Sequence, residues 1–436
     1  GASPEGCRLY QAPEEEPAPD EADPPEEEQA PGEADPTEEE PVPDEEGTPG
    51  EMPGDGETDG QAPEEETPPP ANDGLEPLSD THANHGADGT AADPITEWEE
   101  WDGGSGGFGG GGDHYLYLTE DTTGSITVQG NSRVYLCLNG YTLNGSIIVG
   151  FSDSRGTLTI CDCSAWHTGK IIGSSNGIIK VNGQGTLNLY GGTLSCDAGE
   201  TDVSAVDVVG SATVNGAVTI ELTNVPANRG SSAVHVWGGG SLDFQNGTVT
   251  CTASNGQLGY GIRVEDADAG DVTISGGKIS NLRVDSGAVN VSGGDFTSIY
   301  NSGTLTMTGG SVDYDLNTAV SNSGTMTLSH VTISSNATGS TGFAAVNNTG
   351  ALTVKDNVTI TGVDIGIRND RSSATVLING TNVKISATGE RGTGVNNSSG
   401  TLTIHEGADI DGGYIGVYGR VTLIGAPAID GITADL

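Results

Sequence analysis

Eight residues near the middle of this chain carry groups suited to gripping a polar ligand. Lys180, Asp207, His235, Arg263 and Arg283 recur at one phase of a repeat, and Trp237, Glu265 and Asp285 stand two positions after three of them. An indole face stacks on a sugar ring, and guanidinium groups pair with uronate or sulfate oxygens, so the set reads as a glycan-binding patch. The same groups can instead neutralise one another on a solvated face, with Asp207 and Glu265 set against Lys180, His235, Arg263 and Arg283. Catalysis is the weaker use. Asp207 and Glu265 would be the two carboxylates of a glycoside hydrolase. A lyase acting on an acidic polysaccharide would instead use Arg263 beside calcium held by Glu265, Asp266, Asp268 and Asp271. The motifs call for no cofactor.

Of the six cysteines, Cys7 lies in the acidic segment and the other five fall within the repeats. Cys196 and Cys251 share the inward phase of Leu194 and Val249 and read as core thiols. Cys137 and Cys161 occupy the same outward register of adjacent repeats, which places their Cα atoms roughly 5 Å apart, within disulfide range. Three states are open to them. They can be bridged, they can remain free thiols, or they can join Cys163 and His167 in a zinc site.

What must position these residues is the unit Gly303-Thr304-Leu305-Thr306-Met307, whose copies recur at steps of 16 to 30 residues from Leu158 to Val421. Such elastic spacing fits coils of short strands, whose corner loops lengthen freely, better than helical repeats. Each period carries three strand patterns: a V-x-N or V-x-V element, the G-T-L-T-M element, and a V-x-I element such as Val331-Thr332-Ile333. Glycine, asparagine and serine punctuate them. The pattern predicts an all-β, right-handed parallel β-helix over residues 113–436, with about twelve to fourteen coils stacked at roughly 4.8 Å. Two ladders follow from the phasing. Val181, Val208, Val236, Val264 and Val284 share one inward position, which Asn301, Asn322, Asn348, Asn369 and Asn397 take over in the next coils.

Residues 1–112 differ in kind. The first hundred hold 33 of the 62 acidic residues, 18 of the 20 prolines and one basic residue, Arg8. So few apolar groups cannot offset the ordering entropy, which predicts a disordered acidic stalk. The glycine run at 103–112 reads as its hinge. A net charge of −47 argues against nucleic acid and anionic membranes as partners.

The stretches YLTEDTTGSITVQGNSRVYLCLNGYTLNG and GTLTICDCSAWHTGKIIG, within residues 114–172, resemble the opening coils of β-helical, adhesin-like surface proteins of Gram-positive anaerobes, in the pectate-lyase-like superfamily. The resemblance implies a bacterial, extracellular or cell-surface chain whose partner is a polysaccharide or host-surface glycan. It implies no membrane insertion within this fragment and carries no catalytic motif. The expected function is a non-catalytic adhesin or glycan-binding module, with a polysaccharide lyase or glycoside hydrolase as the alternative. The chain ends in mid-pattern, which suggests truncation at the C-terminus.

Overall fold

A computed structural model describes residues 82, 84–199, 201–226, 230–266, 271–337 and 342–431. The expectation of a disordered tail falls on residues outside this set over 1–81, as do Cys7 and Asp268. Among the described residues the regular elements are strands alone, 38 of them, and every named strand pairs in parallel. They wind into a parallel β-solenoid of about 13 turns.

Strand Thr304–Met307 shows how a coil is built. It pairs with Ala288–Val291 below and Thr325–Leu328 above, so that Val289, Leu305 and Met326 stand in one row and Val291, Met307 and Leu328 in the next. Alternation turns Leu305 and Met307 inward, where both are fully buried, and leaves Thr306 half-buried on the outer surface. Burying each such side chain contributes about 1.5–3 kcal/mol. The same alternation down every column makes one continuous apolar core from Leu116 to Val417. At the corner after this strand Gly310 adopts φ +97°, and a Cβ there would meet the Gly294 carbonyl oxygen at 2.7 Å. Only glycine turns the chain so tightly against the coil beneath.

The inward valine ladder gives way to asparagine as the sequence predicts. The Asn301 side-chain amide donates to Asn322 Oδ1 at 2.7 Å, Asn322 to Asn348 at 2.7 Å, Asn348 to Asn369 at 2.9 Å and Asn369 to Asn397 at 2.7 Å. Each amide also reaches a main-chain carbonyl of the next coil, as Asn322 does with Ala351. The first member is the exception. Its neighbour below is Val284, which has no donor, so Asn301 Oδ1 is buried without a partner.

The solenoid starts earlier than residue 113. Glu99–Trp101 pairs with Leu116–Leu118, and Gly104–Phe108 pairs residue for residue with Gly124–Val128. The glycine run is therefore a rung rather than a hinge. Its backbone supplies the ladder hydrogen bonds, and Trp101 and Phe108 pack against the core end. Upstream of this rung the segment around Gly89 and Trp98 lies over the outer side of the first coils. It covers Tyr117, Cys137 and Cys161.

Candidate functional site

The outward column forms as the sequence phasing requires. Lys180 pairs in register with Asp207, Asp207 with His235, His235 with Arg263, Arg263 with Arg283, and Arg283 with Tyr300. Parallel, in-register pairing is what brings five residues spread over a hundred positions onto one strip. Trp237, Glu265 and Asp285 follow just beyond the strand ends, and their side chains fold back onto it.

The charges on this strip from Asp207 to Asp285 are committed to one another. His235 Nδ1 lies 3.5 Å from Asp207 Oδ1, and its Nε2 lies 3.1 Å from Glu265 Oε2. Arg263 spends its guanidinium on three acceptors: Glu265 at 3.0 Å, Asp285 at 2.8 Å and the Gly230 carbonyl at 2.9 Å. A Cβ on Gly230 would sit 2.3 Å from that guanidinium, so a larger residue there would displace the end of the arginine side chain. Arg283 bonds Asp285 at 2.6 Å, donates to the Tyr260 hydroxyl and lies over the Tyr260 ring at 4.8 Å. Burial alone would raise the Asp207 carboxyl, but hydrogen bonds from His235 and Trp237 outweigh it and hold the group below its usual range. For Arg283 burial lowers and Asp285 raises, and the net direction is upward.

Of the two uses the sequence offers these groups, the contacts show mutual neutralisation for His235 and Arg263: Arg263 is braced by Glu265, Asp285 and the Gly230 carbonyl, and Arg283 by Asp285 and Tyr260. The imidazole of His235 also fills the space between Asp207 and Glu265. A glycosidase needs that space for the scissile bond. The calcium set is described only in part. Glu265 faces His235 and Arg263, Asp268 lies outside the described residues, and Glu265, Asp266 and Asp271 make no three-ligand cluster among the described residues.

What stays open is a groove of about 540 Å³ beside the strip, lined by Ile148, Lys180, Asp207, His235, Trp237 and Arg263, with Asp202 and Val203 on its flank. Trp237 keeps 38% of its surface exposed while its Nε1 donates to Asp207 Oδ1 at 2.6 Å. Its ring runs nearly parallel to His235, at an interplanar angle of 18°. Gly230 also lines this groove, and residues 255–259 line a second groove of about 650 Å³ with Tyr260, Tyr300, Tyr314 and Leu316. Tyr260 and Tyr314 escaped sequence reasoning because they lie outside the outward column. Tyr260 reaches Tyr300 edge-to-face at 6.1 Å.

The cysteines also regroup. Cys137 and Cys161 are register partners, as expected, but both are thiols. The Cys163 sulfur lies 3.3 Å from that of Cys137. His167 turns away from them and bonds the Asp162 carbonyl at 3.1 Å. In place of Cys161 and His167, the pair Cys137 and Cys163 meets His82 and His85. The overlooked signal was His82-x-x-His85, two of the chain's seven histidines inside the acidic segment. Cys196 and Cys251 are core thiols, pushed up to about 11 and about 12 by burial.

The fold defines the class: a parallel β-solenoid with an aromatic groove on one strand column. No family model, curated protein or solved structure matches the chain.

Proposed function

We propose that this chain is a non-catalytic, extracellular surface module that binds a glycan in the groove beside Trp237, in the manner of an adhesin. The observation that carries the reading is the half-exposed indole at the groove edge, anchored by Asp207 and followed along the strip by fixed polar groups. Sugars are recognised by an apolar ring face together with directed hydrogen bonds, and a rigid groove loses little entropy on binding. With Arg263 and Arg283 held by Asp285 and Glu265, the groove favours hydroxyl-rich sugars over polyanions, and Lys180 is the cation placed to meet an isolated uronate. The acidic segment before the solenoid fits a solvated stalk, and the resemblance at residues 114–172 supports a cell-surface setting and a pectate-lyase-like scaffold.

A glycan array probed with the full chain tests this reading. It predicts binding to a restricted group of glycans and loss of that binding in Trp237→Ala. Binding to none, or an unchanged pattern in the variant, contradicts it. Release of unsaturated products from pectin-like polymers would favour a lyase instead.

A further inference from the structure

We propose that His82, His85, Cys137 and Cys163 form a structural zinc site that clips the segment preceding the solenoid onto its first coils. This inference stands apart from the glycan reading and shares no residue with it.

Cys137 closes strand Ser132–Cys137, and Cys163 lies two residues beyond Gly156–Cys161, the strand stacked on it. Stacking brings their sulfurs to 3.3 Å. The His-x-x-His spacing sets two imidazoles side by side, with ring centroids 4.7 Å apart. His82 Nε2 then lies 3.1 Å from His85 Nε2 and 3.4 Å from Cys163 Sγ. All four donor atoms fall within 4.8 Å of one another.

These separations are close to the edges of a zinc tetrahedron. Zinc bonds of about 2.3 Å to sulfur and about 2.0–2.1 Å to nitrogen give edges of about 3.8 Å between sulfurs, about 3.5 Å between sulfur and nitrogen, and about 3.4 Å between nitrogens. To reach them the sulfur–sulfur edge opens by about 0.5 Å and the nitrogen–nitrogen edge by about 0.3 Å, while donors as far apart as 4.8 Å close by about 1 Å. Soft sulfur and imidazole donors select zinc over calcium or magnesium.

The surroundings orient the ligands. His85 Nδ1 donates to the Gly86 carbonyl at 2.6 Å, which leaves the lone pair on Nε2, the atom facing the cluster. His82 stacks on Tyr117 with centroids 4.2 Å apart, and the Trp98 ring sits 4.5 Å from that of His85 while its Nε1 donates to the His85 carbonyl. Four protein donors complete the coordination shell, which is the mark of a structural rather than a catalytic site. On binding, the two thiols release their protons to solvent, and the thiolates neutralise the dication. The ion joins residues 55 positions apart, counting from His82 to Cys137.

The test uses the full chain, reduced and stripped with a chelator, then titrated with cobalt(II) and back-titrated with zinc. The expected result is one equivalent of cobalt showing tetrahedral ligand-field bands and thiolate charge transfer, both erased by zinc. Cys163→Ser and His85→Ala should lose the bands, and Cys161→Ala and His167→Ala should keep them. His85 lies outside the solenoid strands, so its variant keeps the assay meaningful if the cysteine variant misfolds. No bands in the wild type, equal bands in His85→Ala, or a Cys137–Cys163 disulfide in the protein as purified would each overturn the proposal.

Discussion

The indole Nε1 of Trp237 donates to Asp207 Oδ1 at 2.6 Å, a contact that fixes an aromatic platform through a carboxylate one coil below. Asp207→Ala removes the acceptor and lets the ring rotate. Glycan affinity should fall about tenfold, which is about 1.4 kcal/mol, with a modest fall in unfolding midpoint as the stabilisation by the depressed carboxyl is lost. Calorimetric titration beside urea unfolding separates the two effects, and a stability loss without an affinity loss would show that the contact serves the fold alone.

The same contact sets a pH dependence. The Asp207 carboxyl is depressed in the folded chain, because hydrogen bonds from His235 and Trp237 outweigh the effect of burial. A depressed carboxyl contributes stability that is present above its unfolded value and lost as pH falls through the folded one. The platform should therefore hold from neutrality down to about pH 4 and loosen below it. Tryptophan emission followed through an acid titration checks this in wild type and Asp207→Asn, and an identical low-pH transition in both would exclude Asp207 as its source.

Arg263 and Lys180 differ in what they hold. Replacing Arg263 by Lys keeps the charge but cannot reach Glu265, Asp285 and the Gly230 carbonyl together. The expected loss is about 1–3 kcal/mol in urea unfolding. Lys180→Ala should stay within about 0.5 kcal/mol, as at other exposed positions. Equal effects would mean that the ion network contributes nothing.

The asparagine ladder predicts a position effect. Asn348→Val strips Asn369 Oδ1 of its donor and adds one buried unsatisfied acceptor, at about 1–3 kcal/mol. Asn301→Val orphans Asn322 Oδ1 but removes the already unpartnered Asn301 Oδ1, so the count stays level and the cost should be small. Comparing the two unfolding midpoints decides the matter, and equal losses would mean that the ladder is not read amide by amide.

Most of the fold was legible because a solenoid repeats its grammar: Leu305 and Met307 could be phased against every other coil, and the Val-to-Asn switch at residues 284 and 301 was visible as a column. The strip from Lys180 to Arg283 followed from the same phasing. Mutual neutralisation was one of the two uses read there, but the individual partners were not legible, since the chain order of Arg263, Glu265 and Asp285 gives no side-chain direction beyond the strand ends. The early coil at residues 99–108 was hidden because glycine supplies ladder hydrogen bonds without a hydrophobic pattern. His82 and His85 were hidden because the composition around them is that of an unstructured tail, and the contact with Cys137 and Cys163 exists only across that boundary.

The central claim is that Trp237 carries glycan recognition. Calorimetric titration of the strongest array-selected glycan into wild type and Trp237→Ala tests it most directly. One site per chain in the wild type, with at least about tenfold weaker binding in the variant, is the predicted result, and superimposable isotherms would contradict it.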